Sequence, residues 1–359
     1  MRLIVLPGDG IGPEITAAAL KVAKAASSRF GLDLAFDFEE VGFVSLEKHG
    51  TTLRQEVLDR AREYDGIILG TQSHAEYPTP ENGGRNISAS FRVGLNLFAN
   101  IRPARTRPGV PHNMREDRSM DLVVMREATE GFYADRNMTR GWGECMPSPD
   151  MALSTRKITR HASENIARAS FELALTRRKK VTAIHKANCF LMTDGLFLEA
   201  VRDVAKDYPD VELEDLLVDA STAHLVKSPE RFDVLCCTNF FGDILSDLAS
   251  ELSGGLGLAG SVNASATHCC AQAQHGSAPD IAGRNIANPT SMILSVAMLL
   301  NWMGTRYSRN QFLSAAVAIE NAIDSALADP QVRTQDLGGN MTCSDFGSHI
   351  ARLVSDSLN

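Results

Sequence analysis

The chain has 359 residues, too many for one ordinary hydrophobic core, so we expect two domains or one interrupted domain. Its formal net charge of -8, without a lysine-rich block, argues against nucleic acid or an anionic membrane surface as the main partner. The first apolar run breaks at Pro7 and Gly8, too early for a signal peptide or a membrane span. Together with an odd number of cysteines, seven, this predicts a cytoplasmic protein without a disulfide framework.

The first third of the chain alternates between strand and helix patterns. RLIVLP, LAFDFEEV and GIILG have the length of strands, and helical patterns lie between them in GDGIGPEITAAALKVAKAAS and LRQEVLDRARE. This alternation predicts a mostly parallel sheet covered by helices. Gly8, Gly10 and Gly12 miss the spacing of the dinucleotide fingerprint, so they predict only a tight turn from strand to helix.

The middle of the chain begins with a loop rich in Pro, Gly, Asn and Thr between Thr71 and Asn86. A helix and a strand follow in ISASFRVGLNLFANIRPARTRPG, then the strand DLVVMRE and the long helix HASENIARASFELALTRR. Residues at about 136–158 predict a protruding arm. Such an arm could dock on a partner subunit or be a plain surface loop, and the sequence leaves both open.

The last part of the chain repeats the strand and helix alternation in VTAIHKAN, DGLFLEAVRDVAKDY, VELEDLLVD and FDVLCCTN. A glycine-bearing loop beyond Leu256 leads to HGSAPDIAGRNIANP. Helices are predicted around residues 291–302, 310–327 and 344–355. The predicted fold class is therefore α/β.

Two aspartates mark the junction where the strand FDVLCC leads into the helical pattern GDILSDLASEL. Asp243 and Asp247 are four residues apart, so both carboxylates lie on one helix face, one turn apart. Two such neighbours favour a hard divalent cation such as Mg²⁺ or Mn²⁺. The alternative is that Asp243 lies in the first helical turn, where it favours the helix dipole, and that Asp247 is solvated. Spacing alone leaves both open.

Three arginines suit a di- or tricarboxylic acid, because a planar guanidinium grips a carboxylate through two parallel hydrogen bonds. Arg92 lies in a helix next to a loop, Arg102 in NIRP, and Arg126 at the end of DLVVMRE. Lys186 follows the apolar strand VTAIH and could serve as a base, and Tyr133 lies in the loop after Arg126. Taken singly, an arginine or a lysine is more often an ordinary solvated surface side chain, and this alternative stays open for all four cationic residues.

Six motifs in chain order carry a family resemblance: GDGIGPE, FANIRP, REATEGFY, HKAN, TNFFGDILSD and HGSAPDIAG. Together they resemble the β-decarboxylating dehydrogenases, the isocitrate/isopropylmalate dehydrogenase family, nearest to the homoisocitrate and NAD-linked isocitrate enzymes. The resemblance implies an isopropylmalate dehydrogenase-like, non-Rossmann fold of two α/β domains that share a long mixed sheet. It places cofactor binding in residues 1–99 plus 252–359, and substrate binding and dimerisation in residues 100–251.

The same resemblance implies a role for individual residues. Tyr133 would be the catalytic acid, and Lys186 the base, contributed by the partner subunit of a homodimer with shared active sites. Asp243 and Asp247 would bind Mg²⁺ or Mn²⁺ together with Asp219 from the partner subunit. The substrate-binding residues would be Ser88, Arg92, Arg102, Arg126 and Asn188. The cofactor-binding residues would be His275, Gly276, Ser277, Ala278, Pro279, Asp280, Ile281 and Asn288.

The implied reaction is the oxidative decarboxylation of a (2R)-2-hydroxy acid with a β-carboxylate, with an isocitrate or homoisocitrate type of substrate favoured. Asp280 predicts NAD, because a carboxylate accepts hydrogen bonds from ribose hydroxyls and repels a 2′-phosphate. The stretch NISASFR is small and polar where isopropylmalate enzymes have leucines, which disfavours isopropylmalate.

The sequence is also compatible with other functions. D-malate, tartrate and 3-isopropylmalate are alternative substrates, and a non-catalytic regulatory subunit is an alternative of another class. Gln272 stands where the family usually has glutamate, and Ala220 where it usually has asparagine. Both departures concern nicotinamide positioning and specificity, and neither removes a catalytic group.

Overall fold

The computed structural model describes residues 1–138 and 140–357 of the chain. The strands of this part are β1 (Arg2–Leu6), β2 (Ala35–Phe38), β3 (Gly66–Leu69), β4 (Ala99–Arg105), β5 (Asp121–Glu127), β6 (Glu144–Ser148), β7 (Met151–Ser154), β8 (Lys180–His185), β9 (Glu212–Leu217), β10 (Val234–Cys237), β11 (Val262–Ala264) and β12 (Cys269–Gln272). The helices are α1 (Gly12–Phe30), α2 (Phe43–His49), α3 (Gln55–Ala61), α4 (Ile87–Gly94), α5 (Arg160–Leu175), α6 (Thr193–Ala205), α7 (Val218–Lys227), α8 (Asn239–Ser253), α9 (Thr290–Arg306), α10 (Asn310–Ala328) and α11 (Cys343–Asp356). Among these, no helix combines the length and the apolar character that crossing a membrane requires.

The chain divides into two compact units. Unit 1 contains Met1–Leu95, Arg107–Pro111 and Gly254–Asn359, and so brings both ends of the chain together. Unit 2 contains Asn96–Thr106 and His112–Ser253.

The strands of unit 1 follow the order β2, β1, β3, β12, β11. The pairs β1 with β2, β1 with β3 and β3 with β12 are parallel, and β11 joins β12 in the antiparallel sense. The residues of β1 and β3 are almost entirely apolar and buried, as expected for parallel strands with both faces covered. Helix α1 begins at Gly12 with Pro13 in its first turn and ends at Phe30, and Gly31 caps it in the left-handed conformation.

The strands of unit 2 follow the order β4, β5, β10, β8, β9. Strands β5, β10, β8 and β9 are parallel to one another, whereas β4 runs antiparallel to β5. Cys237 of β10 pairs with Arg126 of β5 on one side and with Ile184 of β8 on the other. The carboxyl ends of these three strands therefore lie side by side, and this is the edge of a parallel sheet where ligands usually bind.

Two apolar clusters hold unit 2 together. One contains Phe171 and Phe197 from helices α5 and α6, and the other contains Phe232 and Leu245 beside strand residues. Fully burying one large apolar side chain contributes roughly 1.5–3 kcal/mol, whereas an exposed ion pair contributes about 0–1 kcal/mol. The core under the sheet, and not the many surface ion pairs, therefore sets the geometry of the sheet edge.

The strand and helix alternation predicted from the sequence is confirmed, and so is the α/β fold class. The three final helices lie within a few residues of their predicted limits. The short elements α2, α7, β11 and β12 were not predicted, because runs of three to ten residues show little periodicity. Asp219, placed at a strand end from the sequence, lies in the first turn of α7.

Residues 144–154 form an antiparallel hairpin of β6 and β7 within the segment predicted to be an arm. Its apolar side chains Met146, Met151 and Leu153 are at least half exposed, and so is nearby Trp142. Thr139, within the predicted arm, lies outside the described residues. All seven cysteines are free thiols, as predicted for a chain without a disulfide framework.

Candidate active site

Helix α8 presents Asp243 and Asp247 on one face, as their spacing predicted. The helix begins at Asn239, one turn earlier than the sequence pattern indicated, and its first hydrogen bond runs from the Gly242 N–H to the Thr238 carbonyl. Asp243 consequently lies in the second turn, so the alternative that it favours the helix dipole from the first turn is wrong. The side chains of Asp243 and Asp247 are 37% and 52% exposed, and both contact arginines.

Arg102 and Arg126 meet these carboxylates from the neighbouring strands. Arg102 Nη1 lies 3.2 Å from Asp247 Oδ1 and 3.4 Å from Asp243 Oδ1, and it donates to Ser246 Oγ at 2.8 Å. Arg126 pairs with Asp243 Oδ1. Burial, and then the positive charge of Arg126, lower the pKa of Arg102 to about 10. The guanidinium thus still carries its charge at neutral pH.

Tyr133 closes this group, which we name the charged cluster: Arg102, Arg126, Tyr133, Asp243 and Asp247. The tyrosine hydroxyl donates to Asp243 Oδ2 at 2.7 Å and accepts from Arg126 Nη2 at 2.8 Å. The hydroxyl therefore lies between a cation and a carboxylate. This position suits a group that must give up a proton and recover it.

The loop that carries Tyr133 is fixed from beneath by buried polar groups that sequence reasoning missed. Asn239 accepts from Arg126 Nε at 2.9 Å and donates from Nδ2 to the Glu130 carbonyl at 2.7 Å. The Glu130 carboxylate accepts from the backbone N–H of Thr159 at 2.7 Å and from its hydroxyl at 3.0 Å. Burial raises the pKa of Glu130 to about 7, and the neighbouring Glu127 adds to this increase.

Gly242 allows α8 to lie against β5. A Cβ atom built on this residue would come within 2.7 Å of Arg126 Cβ. Any larger residue would push the helix and its two aspartates away from the arginine. The glycine in the FFGD motif therefore has a packing role that explains its place before Asp243.

Lys186 and Asp219 form a separate pair in the same unit. Lys186 follows β8, and its Nζ lies 2.8 Å from Asp219 Oδ1 in the first turn of α7. The lysine ammonium lowers the pKa of the Asp219 carboxyl. Asn188 lies two residues further along this turn and is exposed. Phe190, Leu191 and Met192 next to it are exposed as well, so the turn presents apolar side chains to the outside of the chain.

Unit 1 contains a second group, which we name the amide cluster: Gln72, Ser88, Arg92, Asn263 and Gln272. Gln272 Oε1 accepts from Ser88 Oγ at 3.1 Å and from Asn263 Nδ2 at 3.2 Å, and its Nε2 donates to Gln72 Oε1 at 3.3 Å. Asn263 Oδ1 accepts from Arg92 Nε at 2.9 Å. Gln272 thus reaches Arg92 through a single asparagine.

The polar residues of the stretch before Arg92 have different structural roles. Asn86 is the N-cap of α4, and its Oδ1 accepts from the Ala89 N–H at 3.0 Å. Ser90 Oγ donates to the Asn86 carbonyl at 2.8 Å. Ser88 Oγ instead donates to Gln272, so Ser88 and Arg92 both belong to the amide cluster.

The predicted cofactor loop is joined to the glycine-bearing turn after β1. The Ile11 N–H donates to the Ser277 carbonyl at 2.8 Å, and Ser277 Oγ lies 2.7 Å from Ser73 Oγ. Gly10 has φ of 58°, and a Cβ there would come within 2.0 Å of that same carbonyl. The motifs GDGIGPE and HGSAPD are therefore two sides of one contact.

The other predicted cofactor residues follow along this loop. Burial lowers the pKa of His275, whose Nδ1 lies 3.0 Å from the Gly276 carbonyl oxygen. Ala278 has φ of 39°, in the left-handed region, and leads into a short 3₁₀ turn, Pro279–Ile281. Asp280 in that turn is exposed. Asn288 is buried and donates to Asp336 Oδ2 at 2.9 Å.

Asp243 and Asp247 have the chemistry that a hard divalent cation requires. Both offer carboxylate oxygens from one helix face, and both remain partly accessible. Within residues 1–138 and 140–357, no three His, Cys, Asp or Glu side chains of one chain converge as a metal centre. Within one chain, a cation would therefore find two neighbouring carboxylates, Asp243 and Asp247. The third predicted ligand, Asp219, is instead paired with Lys186.

Comparisons with known proteins place the chain in a family. Residues 2–350 match the family model described as isocitrate/isopropylmalate dehydrogenase. The chain is 39% identical over 356 residues to a 3-isopropylmalate dehydrogenase of Archaeoglobus fulgidus, covering 98% of this chain and 99% of the relative. It is 40% identical over 354 residues to an isocitrate/homoisocitrate dehydrogenase of Thermus thermophilus, covering 98% of each.

The solved structures agree with this. The crystal structure of isocitrate dehydrogenase from Methylococcus capsulatus matches with a TM-score of 0.86 and 39% identity, and the match covers 99% of each chain. The fold predicted from the motifs and the prediction of a decarboxylating dehydrogenase are confirmed. Enzymes of this family act on small hydroxy acids with a nicotinamide cofactor and a divalent metal ion. The chain belongs to the isocitrate/isopropylmalate dehydrogenase family.

Proposed function

We propose that this chain catalyses the NAD-dependent oxidative decarboxylation of a (2R)-2-hydroxy acid with a β-carboxylate, of the isocitrate or homoisocitrate type. The observation that carries the proposal is the charged cluster, where two arginines, two aspartates and a tyrosine meet at the carboxyl end of β5. Guanidinium groups suit the carboxylates of such a substrate, and aspartates suit a cation.

In this proposal Asp243 and Asp247 hold a Mg²⁺ or Mn²⁺ ion, and residues 275–281 with Asn288 hold the dinucleotide. The bound groups supply stabilisation of negative oxygen and a hydride acceptor. Arg102 and Arg126 bind substrate carboxylates, and their contacts with Asp247 and Asp243 support a substrate position next to the aspartates. A substrate carboxylate then replaces an aspartate as partner of each guanidinium.

Two residues move protons. Lys186 accepts the proton of the substrate hydroxyl, and Tyr133 donates one to the carbon that has lost CO₂. The hydroxyl of Tyr133 is held by Arg126 and Asp243 at 2.8 and 2.7 Å, so its orientation is set before the reaction. Lys186 and Asp219 serve the site of a second copy of this chain, which makes the working unit a homodimer with shared sites. The exposed apolar side chains of the β6–β7 hairpin and of residues 190–192 support such a partner.

Asp280 supports NAD as the cofactor, because its exposed carboxylate can accept hydrogen bonds from both hydroxyls of an adenosine ribose. The substrate is the less constrained half of the proposal. Relatives named for 3-isopropylmalate and for isocitrate or homoisocitrate are 39% and 40% identical, so overall identity does not choose between them. The hydroxyl of Ser88 and the amide of Gln272 favour a polar substituent over an isopropyl group.

A substrate panel tests the proposal. Purified protein is assayed with isocitrate, homoisocitrate, 3-isopropylmalate, D-malate and tartrate, with NAD or NADP and with Mg²⁺ or Mn²⁺. Absorbance follows NADH, and released CO₂ is measured in parallel. We expect equal amounts of NADH and CO₂ with a tricarboxylic substrate. A protein that makes neither product with any acid is a binding or regulatory subunit, and the proposal is then wrong.

A further inference from the structure

Arg156 lies at a point where three segments of unit 2 meet, and no motif in the sequence marks it. Its side chain is 5% exposed, although it follows directly after the exposed β6–β7 hairpin. Three aromatic rings surround the guanidinium: its central carbon lies 5.3 Å from the ring centre of Phe132, 5.0 Å from that of Phe190 and 5.2 Å from that of Phe241. A buried arginine that faces three rings is an uncommon and costly arrangement, which needs a compensating partner.

Asp194 is that partner. Arg156 Nη1 lies 2.6 Å from Asp194 Oδ1, and the aspartate side chain is completely buried. The other oxygen of the same carboxylate, Oδ2, accepts from the backbone N–H of Lys186 at 2.6 Å. One carboxylate thus joins the guanidinium to the backbone of the lysine proposed as the base.

The turn after Lys186 is closed by the same residues. The Lys186 carbonyl accepts from the N–H groups of Cys189 and Phe190, and the Phe190 carbonyl accepts from the Asp194 N–H at 3.0 Å. The Phe190 ring then packs on the guanidinium. The Lys186 N–H is therefore held by Asp194 and its carbonyl by the Phe190 N–H, and Arg156 contacts both Asp194 and Phe190.

The two remaining segments also carry proposed site residues. Phe132 directly precedes Tyr133, and the backbones of Gly131 and Lys157 exchange hydrogen bonds of 3.0 and 2.9 Å next to Arg156. Arg156 Nη2 donates to Thr238 Oγ1 at 3.2 Å, at the start of α8, the helix that carries Asp243. Phe241 lies in that helix.

We propose that Arg156, acting with Asp194, is a positioning residue that sets the relative placement of Lys186, Tyr133 and Asp243. The inference rests on the proposed function for the roles of those three residues. The geometry itself, one guanidinium between three segments, is independent of that function. Because Lys186 serves a second copy while Tyr133 serves its own chain, one Arg156 supports groups that belong to two different sites.

The test uses Arg156→Lys in the full-length protein. Lysine keeps a positive charge for Asp194 but loses the planar face that packs on the rings and the second nitrogen that reaches Thr238. The matched control is Arg177→Lys. Arg177 Nε donates to the buried Asp233 at 2.8 Å, but Asp233 precedes β10, at the opposite end of the strand from Thr238.

Two readouts are compared at a temperature well below unfolding. Steady-state kinetics should show kcat lowered by about 10- to 100-fold in Arg156→Lys, with a changed acid limb in its pH profile and a smaller change in KM. Hydrogen exchange, followed by mass spectrometry, should become faster in residues 186–194 and 128–135. Arg177→Lys should change neither.

The readouts separate the two proposals. Unchanged exchange in both segments of folded Arg156→Lys overturns the positioning role, and so does a kcat and pH profile equal to those of the parent. A parent protein that is inactive on the whole substrate panel overturns the proposed function alone, because faster exchange in Arg156→Lys would still support the placement of the three segments.

Discussion

The charged cluster of unit 2 and the amide cluster of unit 1 are built from opposite kinds of side chain. In the charged cluster, full charges contact one another near the carboxyl end of β5, and each arginine has an aspartate partner. In the amide cluster a single charge, Arg92, is connected to neutral amides and a hydroxyl. Charges stabilise a changing charge during a reaction, whereas a hydrogen-bonding network selects shape and polarity. We infer that the first group performs the reaction and the second selects the substrate.

The largest effect should come from Asp243→Asn. Loss of this carboxylate removes the acceptor of the Tyr133 hydroxyl and, in our proposal, a metal ligand, so we expect kcat/KM to fall by about 10³-fold or more for every substrate. Asp247→Asn should be milder and partly restored by excess Mn²⁺. Initial rates across a metal titration measure both.

A matched control for this test is Asp203→Asn, which changes a surface carboxylate paired with Arg160 and Lys206. It should leave rates and metal dependence unchanged. Equal activity of Asp243→Asn and the parent after chelator treatment and metal return would contradict the metal assignment.

Mixing two inactive proteins should restore activity if sites are shared between copies. Lys186→Ala lacks the proposed base and Tyr133→Phe lacks the proposed acid, but in their heterodimer one site receives an intact Lys186 and keeps an intact Tyr133. Activity should approach about half that of the parent dimer, because the other site lacks both groups. Purified heterodimers that carry two different tags provide the sample. If they stay inactive while both parents are folded, each site is built within one chain.

Asp280→Lys should change cofactor preference rather than the chemistry. The exchange replaces a carboxylate that repels a 2′-phosphate with an ammonium that attracts it, so the NADP to NAD ratio of kcat/KM should rise by about tenfold or more. Asp280→Asn, which removes only the charge, is the matched comparison and should give a smaller rise. An unchanged ratio in both variants would place Asp280 away from the ribose.

The smallest effect concerns Glu130, under the loop of Tyr133. Burial raises its pKa from 4.5 to about 7. Between these two pH values the folded protein therefore keeps a proton on Glu130 that the unfolded chain has already released. The stabilisation from that proton is complete below about 4.5 and is lost as the pH rises through about 7. Glutamine stays neutral, so the unfolding midpoint of Glu130→Gln, measured relative to that of the parent, should rise between pH 5 and pH 8 by on the order of a few degrees. A constant difference across this range would mean that Glu130 is charged throughout.

The members of the charged cluster could be named from the sequence because the family resemblance implies a role for each of them, and the local pattern agrees for three. Asp243 and Asp247 are spaced for one helix face, and Arg126 ends a clear apolar strand. The contacts that fix them could not be predicted in the same way. The role of Asn239 could not be predicted, because helix α8 begins one turn before the apolar pattern that indicates it.

The amide cluster and Arg156 show why sequence reasoning ends where it does. Arg92 of α4 and Asn263 of β11 are 171 positions apart in the chain and meet only in the folded unit 1. Arg156 follows an exposed hairpin in a polar stretch, where an arginine is normally solvated. Its burial depends on three phenylalanines from three separate segments. No local spacing encodes such a meeting.

The division of labour between the two clusters is tested most directly by measuring kcat/KM on the whole substrate panel for Tyr133→Phe and for Gln272→Glu. Glutamate at position 272 can still accept from Ser88 and Asn263, but it loses the donor to Gln72 and adds a negative charge to the network around Arg92. Tyr133→Phe should lower kcat/KM by a similar factor for all substrates, so that the ratios between substrates stay unchanged. Gln272→Glu should change those ratios. Ratios altered by Tyr133→Phe and left intact by Gln272→Glu would contradict the account.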